Sequence, residues 1–168
     1  MRTHATLFQA VLMMLYFAYG SNMNWPQMQK RCPGAKFHCV AKLPNHRLAF
    51  PRTSVTWQGG GVAGVVADSG HAVWGVVYEL TQADLDSLDG YEGYKEGRAG
   101  NQYTRGTVTV LDRGREKKPL EALVYHAVPT GRHFAPGARY KKTIVDGAKH
   151  WKLPELYLED LEKIEVAK

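Results

Sequence analysis

Tyr16-Phe17-Ala18-Tyr19-Gly20-Ser21-Asn22-Met23 is the stretch on which the reading of this chain turns. A short apolar run, Leu12 to Ala18, leads into it and reads as a buried strand. The run breaks at Tyr-Gly-Ser-Asn, a turn-type cluster. Glycine permits a close approach of the backbone to a ligand, and successive amides at such a turn can converge on one acceptor. The stretch is therefore either an ordinary strand-to-loop turn or a cradle for a small anion or a polarised carbonyl oxygen. Spacing alone leaves both readings open.

Outward from this stretch the chain is rich in short β-type runs. After Leu12 to Ala18 come Phe37 to Leu43, His46 to Phe50, Val62 to Val66, Ala72 to Leu80, Tyr103 to Leu111 and Leu120 to Val128. Several alternate: Thr107, Thr109 and Leu111 face one way, Val108 and Val110 the other. Strands this numerous and closely spaced predict a strongly bent sheet or small β-barrel. Thr81 with Asp84 predicts a capped helix start, aspartate replacing the usual glutamate or glutamine. Leu85 and Leu88 follow at helical spacing, and the helix is expected to end near Gly90. Tyr140, Ile144, Ala148 and Trp151 share one helical face, Pro154 marks a break, and Tyr157, Leu161 and Ile164 predict a last amphipathic helix. The class is α+β, with peripheral helices packed around the bent sheet.

The 168 residues are a usual size for one domain. At that length roughly 70% of the unfolded surface is buried, so no metal or disulfide staple is required. The 22 basic and 16 acidic residues give a net charge of +6. The cations are scattered in pairs such as Lys30-Arg31, Lys117-Lys118 and Lys141-Lys142, without interleaved aromatics, so nucleic acid is not the expected partner. Cys32 and Cys39 fit neither a zinc nor a C-x-x-C redox spacing and read as free thiols of a cytoplasmic protein. Arg2 and the run Ala5 to Leu15 resemble a signal peptide only loosely. The run is interrupted by Thr6 and Gln9 and is too short to span a membrane. Residues 1–12 are expected to be an extension, or the natural start to be Met13 or Met14, with residues 13–168 forming the single domain.

Several motifs are set aside. Gly59 to Gly64 matches G-x-G-x-x-G, but it precedes Val65-Val66 and the turn residues Asp68-Ser69-Gly70 instead of opening a helix, so it reads as a turn into a strand. The seven histidines have no paired ligand spacing. Ser21 lies outside any G-x-S-x-G elbow and reads as a hydrogen-bonding or turn residue. The four tryptophans read as core or pocket wall.

A second unusual stretch is Leu88-Asp89-Gly90-Tyr91-Glu92-Gly93-Tyr94, in which a glutamate sits between aromatic and glycine residues just past the expected helix end. A loop glutamate by itself is a solvated surface charge. Aromatic neighbours can partly bury this one, which raises its pKa and makes it a usable base. Glu96 is a rival base nearby.

Taken in order, Tyr16 to Ser21, Trp57-x-Gly59-Gly60, Val73-Trp74-Gly75-Val76-Val77, Leu88-Asp89-x-x-Glu92-Gly93, Tyr140-Lys141-Lys142 and Gly147-Ala148-Lys149 make a chain that resembles the γ-glutamylcyclotransferases. The wider superfamily also holds γ-glutamylamine cyclotransferases and AIG2-like proteins. The likeness runs from residue 15 onward. It implies a small β-barrel with peripheral helices and an open pocket, with Glu92 as the catalytic carboxylate. It implies that Tyr16, Phe17, Ala18, Tyr19, Gly20 and Ser21 bind the substrate, and it places Tyr140 at the pocket, where periodicity alone reads it as helix core. Glu92, and not Glu96, occupies the matched position. The partner implied is a small γ-glutamyl compound, with neither cofactor nor metal, and the product is 5-oxoproline. Two alternatives stand beside this reading: a γ-glutamylamine cyclotransferase, and a non-catalytic module binding a small acid or nucleic acid. The segment from Gly93 to Tyr103 is longer than the matching loop of the vertebrate enzymes and follows the catalytic position, which bears on the leaving group.

Overall fold

A computed structural model describes residues 12–168. The segment expected to be an extension lies outside the described residues except for Leu12, which is exposed and precedes the first strand. Five strands, β1 (Met14–Ala18), β2 (Lys36–Thr53), β3 (Gly61–Leu80), β4 (Tyr103–Asp112) and β5 (Pro119–Ala127), form a closed barrel in the order β1-β3-β2-β4-β5. Neighbours are antiparallel except at the seam, where β5 meets β1 in parallel at Leu123 and Tyr16. Closure leaves no open sheet edge.

The strands differ from the sequence reading in length. Phe37 to Leu43 and His46 to Phe50 belong to one strand, β2, and Val62 to Val66 and Ala72 to Leu80 to another, β3. The turn-type residues between them form bulges instead of breaks. Pro44 pairs with Ala72 and His46 with Ala67, so Asp68 to His71 are accommodated as extra residues opposite Asn45. Asn45 takes a left-handed φ of 56°, and its Oδ1 accepts the Gly70 amide at 3.3 Å. Such bulges increase local twist, which lets the long β2–β3 hairpin coil round far enough to meet β4 and β1. The glycines before β3 do form a turn into the strand, following a 3₁₀ turn at Val55–Trp57. The alternation in β4 holds: Val110 is buried while Thr107 and Thr109 are exposed.

Four helices surround the barrel: α1 (Trp25–Arg31), α2 (Gln82–Glu92), α3 (Ala138–His150) and α4 (Glu155–Glu162). The α2 capping box is complete: the Thr81 hydroxyl accepts the Asp84 amide and the Asp84 carboxylate accepts the Thr81 amide. The helix runs past Gly90 to Glu92, because Gly93 and not Gly90 adopts the left-handed cap, at φ 63°. Helix α1 was not anticipated. Its signal was Asn24, whose side chain accepts the Gln27 amide, followed by a proline in the first turn.

Ile144 and Ala148 of α3 and Leu161 of α4 are buried as the spacing requires, each large side chain contributing roughly 1.5–3 kcal/mol. Ile164 lies beyond the end of α4. Trp151 packs edge-on to Trp25 (5.5 Å between centroids) and its Nε1 donates to the Met23 carbonyl at 2.9 Å. Gly147 makes that contact possible: a Cβ there would lie 2.5 Å from the Met23 carbonyl carbon. These contacts clamp the turn after β1 against α3. Cys32 and Cys39 are free and buried, and burial pushes both thiols up to about 12, so neither is a nucleophile at neutral pH. Among the described residues no helix is long and apolar enough to cross a membrane.

Candidate active site

Beyond β1 the chain turns through Tyr19 and Gly20 into a 3₁₀ turn, Ser21–Met23. Facing this turn are the tip of the β2–β3 hairpin, the last turn of α2 and the start of α3. They enclose a cavity of about 80 Å³. Tyr16, Tyr19, Gly20, Ser21, Glu92 and Tyr140 all line it. Phe17 and Ala18 do not. Both are buried, and the Phe17 ring packs into the space that the missing side chain of Gly75 leaves open, where a Cβ would also strike the Ala18 carbonyl. Strand alternation sends Phe17 to the opposite face from Tyr16. Glu96 is exposed in the following loop and takes no part in the lining.

Glu92 sits half-buried at the C-terminal end of α2. Its Oε1 accepts a hydrogen bond from Asn22 Nδ2 at 2.9 Å, and the same amide nitrogen donates to the Tyr16 hydroxyl at 3.0 Å. Asn22 is held in this orientation from behind. Its Oδ1 accepts from Arg31 at 2.9 Å and from Gln27 Nε2 at 3.2 Å, so its amino group must face the carboxylate. Burial raises the Glu92 pKa above the ordinary carboxylate value. The Arg31 charge and the Asn22 hydrogen bond pull it down, and the nearby Asp89 charge pushes it further up. A carboxylate so placed holds a proton more readily than an exposed glutamate does.

The tyrosines divide into two sets. Tyr19 donates to the Tyr125 carbonyl at 2.6 Å, Tyr103 to the Ala63 carbonyl at 2.9 Å, and Tyr125 to Asp89 at 2.6 Å. Those hydroxyl protons are committed. Tyr16 and Tyr140 instead accept, from Asn22 and from the Ala63 amide at 3.0 Å, so each O–H remains available to the cavity. Burial raises both phenols well above their ordinary value, the Glu92 charge adding to it, so they stay protonated donors. The amides of Ser21 and Asn22 open the 3₁₀ turn and have no acceptor among the described residues. Asp89, one turn before Glu92, also takes Arg105 at 2.6 Å, which ties α2 to β4 and β5.

The family model described as "Gamma-glutamyl cyclotransferase, AIG2-like" matches residues 16–165. The chain belongs to that family. It is 39% identical to human γ-glutamylcyclotransferase over 158 residues, covering 90% of this chain and 78% of the human protein, and 36% identical to the mouse protein over 155 residues. A solved γ-glutamyl cyclotransferase structure superposes with a TM-score of 0.84 at 37% identity, covering 94% of this chain and 90% of that one. The α+β class and closed barrel are those of the γ-glutamyl cyclotransferase family. Among the described residues no group of three or more His, Cys, Asp or Glu side chains is placed to hold a metal ion.

In this family member the sequence points to Asn22 as a site residue only through its backbone amide, and it does not mark Arg31, Tyr103 or Tyr125 as pocket residues. Asn22 stood inside the quoted stretch, but its role as the donor to Glu92 depends on a partner 70 residues away. The long loop after Gly93 folds back on itself: the Lys95 amide donates to Asn101, and Arg98 donates to the Gly93 carbonyl. Of its residues, Gln102 reaches the cavity wall.

Proposed function

We propose that this chain is a γ-glutamyl cyclotransferase, converting a γ-glutamyl amide into 5-oxoproline and a free amine or amino acid. Family membership supports the reaction class. The observation that carries the assignment of roles is Glu92, half-buried and hydrogen-bonded at 2.9 Å to Asn22 in the cavity that contains Tyr16 and the Gly20–Asn22 turn.

In a γ-glutamyl amide the α-amine and the γ-carbonyl belong to one molecule. A free α-amino group has a pKa of about 7.7–8.0, so much of it is protonated near neutrality. Glu92 accepts that proton. The freed nitrogen attacks the γ-carbonyl carbon and closes the five-membered ring, and the carbonyl oxygen takes up negative charge. Collapse breaks the original C–N bond as Glu92 returns its proton to the departing nitrogen; Glu92 then takes the second proton from the ring nitrogen, leaving the lactam N–H, and passes it to the released amine, which departs as its ammonium. Atoms balance without water, metal or cofactor. The Tyr16 hydroxyl and the Ser21 and Asn22 amides supply donors for the oxyanion or the substrate α-carboxylate, and Tyr19, Gly20 and Tyr140 shape the pocket. Positioned proton transfer contributes typically ~10²–10⁴-fold, and a chain held folded on itself reaches effective molarities of ~10⁵ M or more. The free thiols fit a cytoplasmic setting.

The test is mass-spectrometric detection of 5-oxoproline released from γ-glutamyl-alanine by the purified protein. Ligand-dependent melting without product would mark a binding module instead.

A further inference from the structure

We propose that the protein carries a second ligand site: the surface groove between Phe37, Trp74 and Trp151, flanked by Arg113 and Lys152, binds a small aromatic carboxylate. The groove shares no lining residue with the cavity that holds Glu92, and the proposal stands whether or not the cyclotransferase reading does.

The start of β2, the second half of β3, the turn between β4 and β5 and the end of α3 meet round a groove of about 390 Å³. That is the size of an ordinary small-molecule site. Phe37 is 40% exposed, and its ring stacks on Trp151 at 4.3 Å between centroids with 4° between the planes. Trp74 and Trp151 are half-buried. Aromatic surface left open in one place is where a planar apolar ring gains by leaving water. Trp151 is fixed from its other side, since its Nε1 donates to the Met23 carbonyl at 2.9 Å and Trp25 packs edge-on to it. The wall therefore exists before a ligand arrives, which lowers the entropic cost of binding.

The charge of the groove has one sign. Arg113 and Lys152 line it, and among the described residues no Asp or Glu does. Lys152 enters no ion pair among the described residues. The Arg113 Nε stands 3.9 Å from Asp112 Oδ1, too far for a hydrogen bond, and the other Asp112 oxygen is taken by Arg115. Both cations sit on left-handed backbone, at φ 50° for Arg113 and φ 56° for Lys152, a conformation that favours glycine. Backbone hydrogen bonds hold them there: the Arg113 amide donates to the Val40 carbonyl at 2.8 Å and the Lys152 amide to the Lys149 carbonyl at 3.1 Å. Glycine would suit either position better as backbone, so what these residues bring to the groove is their charge. A guanidinium fork and an ammonium beside open aromatic rings match a planar ring that bears a carboxylate, the ring on the aromatics and the oxygens on the cations. A neutral ring leaves the cations unmatched, and a cationic one is repelled.

Isothermal titration calorimetry with indole-3-carboxylate, its neutral isostere indole-3-carboxamide and the cation tryptamine tests the site. The carboxylate should bind with a Kd on the order of 1 mM or below, as a ligand this small allows. Exposed ion pairs are individually weak, so two cations predict a preference over the carboxamide of about 2–30-fold, shrinking at high salt, with tryptamine binding weakest. Arg113→Gly/Lys152→Gly removes both charges and relieves both backbones, so it should melt close to the wild type while the carboxylate and carboxamide affinities become equal. Lys30→Gln/Lys168→Gln removes two exposed cations outside the groove and should keep the preference. Phe37→Ser should weaken both indoles alike. A carboxylate that does not bind at about 10 mM overturns the proposal. So does equal affinity for carboxylate and carboxamide in the wild type, or a Phe37→Ser variant that binds both as the wild type does. A preference that survives Arg113→Gly/Lys152→Gly puts the ligand elsewhere, and one lost in Lys30→Gln/Lys168→Gln reduces it to net charge; either result also overturns the site.

Discussion

The role proposed for Glu92 requires a carboxylate buried enough to bind a proton more tightly than an exposed one and open enough to exchange it with a substrate. That compromise costs stability, and the sign is definite. Its pKa in the folded state is raised by burial above the ordinary value of 4.5. Its contribution is therefore present in full below the unfolded pKa and is lost as pH rises through the folded value. Glu92→Gln cannot ionise, so it should melt above the wild type at pH 7, with the gap closing toward pH 4.5. The same variant should lose ~10²–10⁴-fold in kcat. Paired thermal melts and turnover assays check both halves, and retained turnover would remove Glu92 from its role. Tyr16→Phe keeps the ring against Tyr125 (5.7 Å between centroids) but removes the free O–H beside Glu92. If that hydroxyl serves the oxyanion, kcat falls by ~10²–10³-fold. Steady-state kinetics with γ-glutamyl-alanine measure it.

At the scale of elements, the position of the carboxylate proposed as the catalytic base depends on where one helix stops. Glu92 is the last residue of α2 because Gly93 takes the left-handed cap, its amide bonded back to the Gly90 carbonyl at 3.2 Å. Gly93→Ala places a Cβ at φ 63°, a conformation that costs about 1–2 kcal/mol for a residue with a side chain. Urea denaturation should show that loss. Because the strain falls on the residue after Glu92, kcat should drop more than in a cap variant at the other end, such as Thr81→Ala, which is expected to lose about 1 kcal/mol. Equal kcat in the two variants would mean that the end of α2 does not set the carboxylate position.

At the scale of the whole molecule, the site exists because α2 is lashed to the barrel. Asp89 bridges Tyr125 of β5 and Arg105 of β4, and its side chain is only 20% exposed. Asp89→Asn weakens two charge-assisted hydrogen bonds and should cost about 1.5–3 kcal/mol in denaturation. It also removes a negative charge that raises the Glu92 pKa, so the acid limb of the pH–kcat/KM profile should move to lower pH. A limb that stays in place or moves up would contradict the electrostatic account of Glu92.

The parts legible in the residues alone were those decided by near neighbours. Thr81 and Asp84 capped a helix as their spacing implied, the β4 alternation placed Val110 inside, and Tyr-Gly-Ser-Asn broke the first strand where it should. Caps, turns and periodicity depend on bonds spanning a few positions, and those are written in order along the chain. Other features were decided by closure of the barrel. Asn45 and Asp68 to His71 look like breaks until β2 and β3 pair across them and turn them into bulges. Asn22 becomes the donor to Glu92, and Tyr103 and Tyr125 join the pocket, only when segments tens of residues apart are brought within hydrogen-bonding distance. Local chemistry determined which pieces form. The cavity, and the carboxylate held in it, came from the packing of β1, α2 and α3 against one another, because a short-range pattern carries no record of the partner that a distant strand or helix will supply.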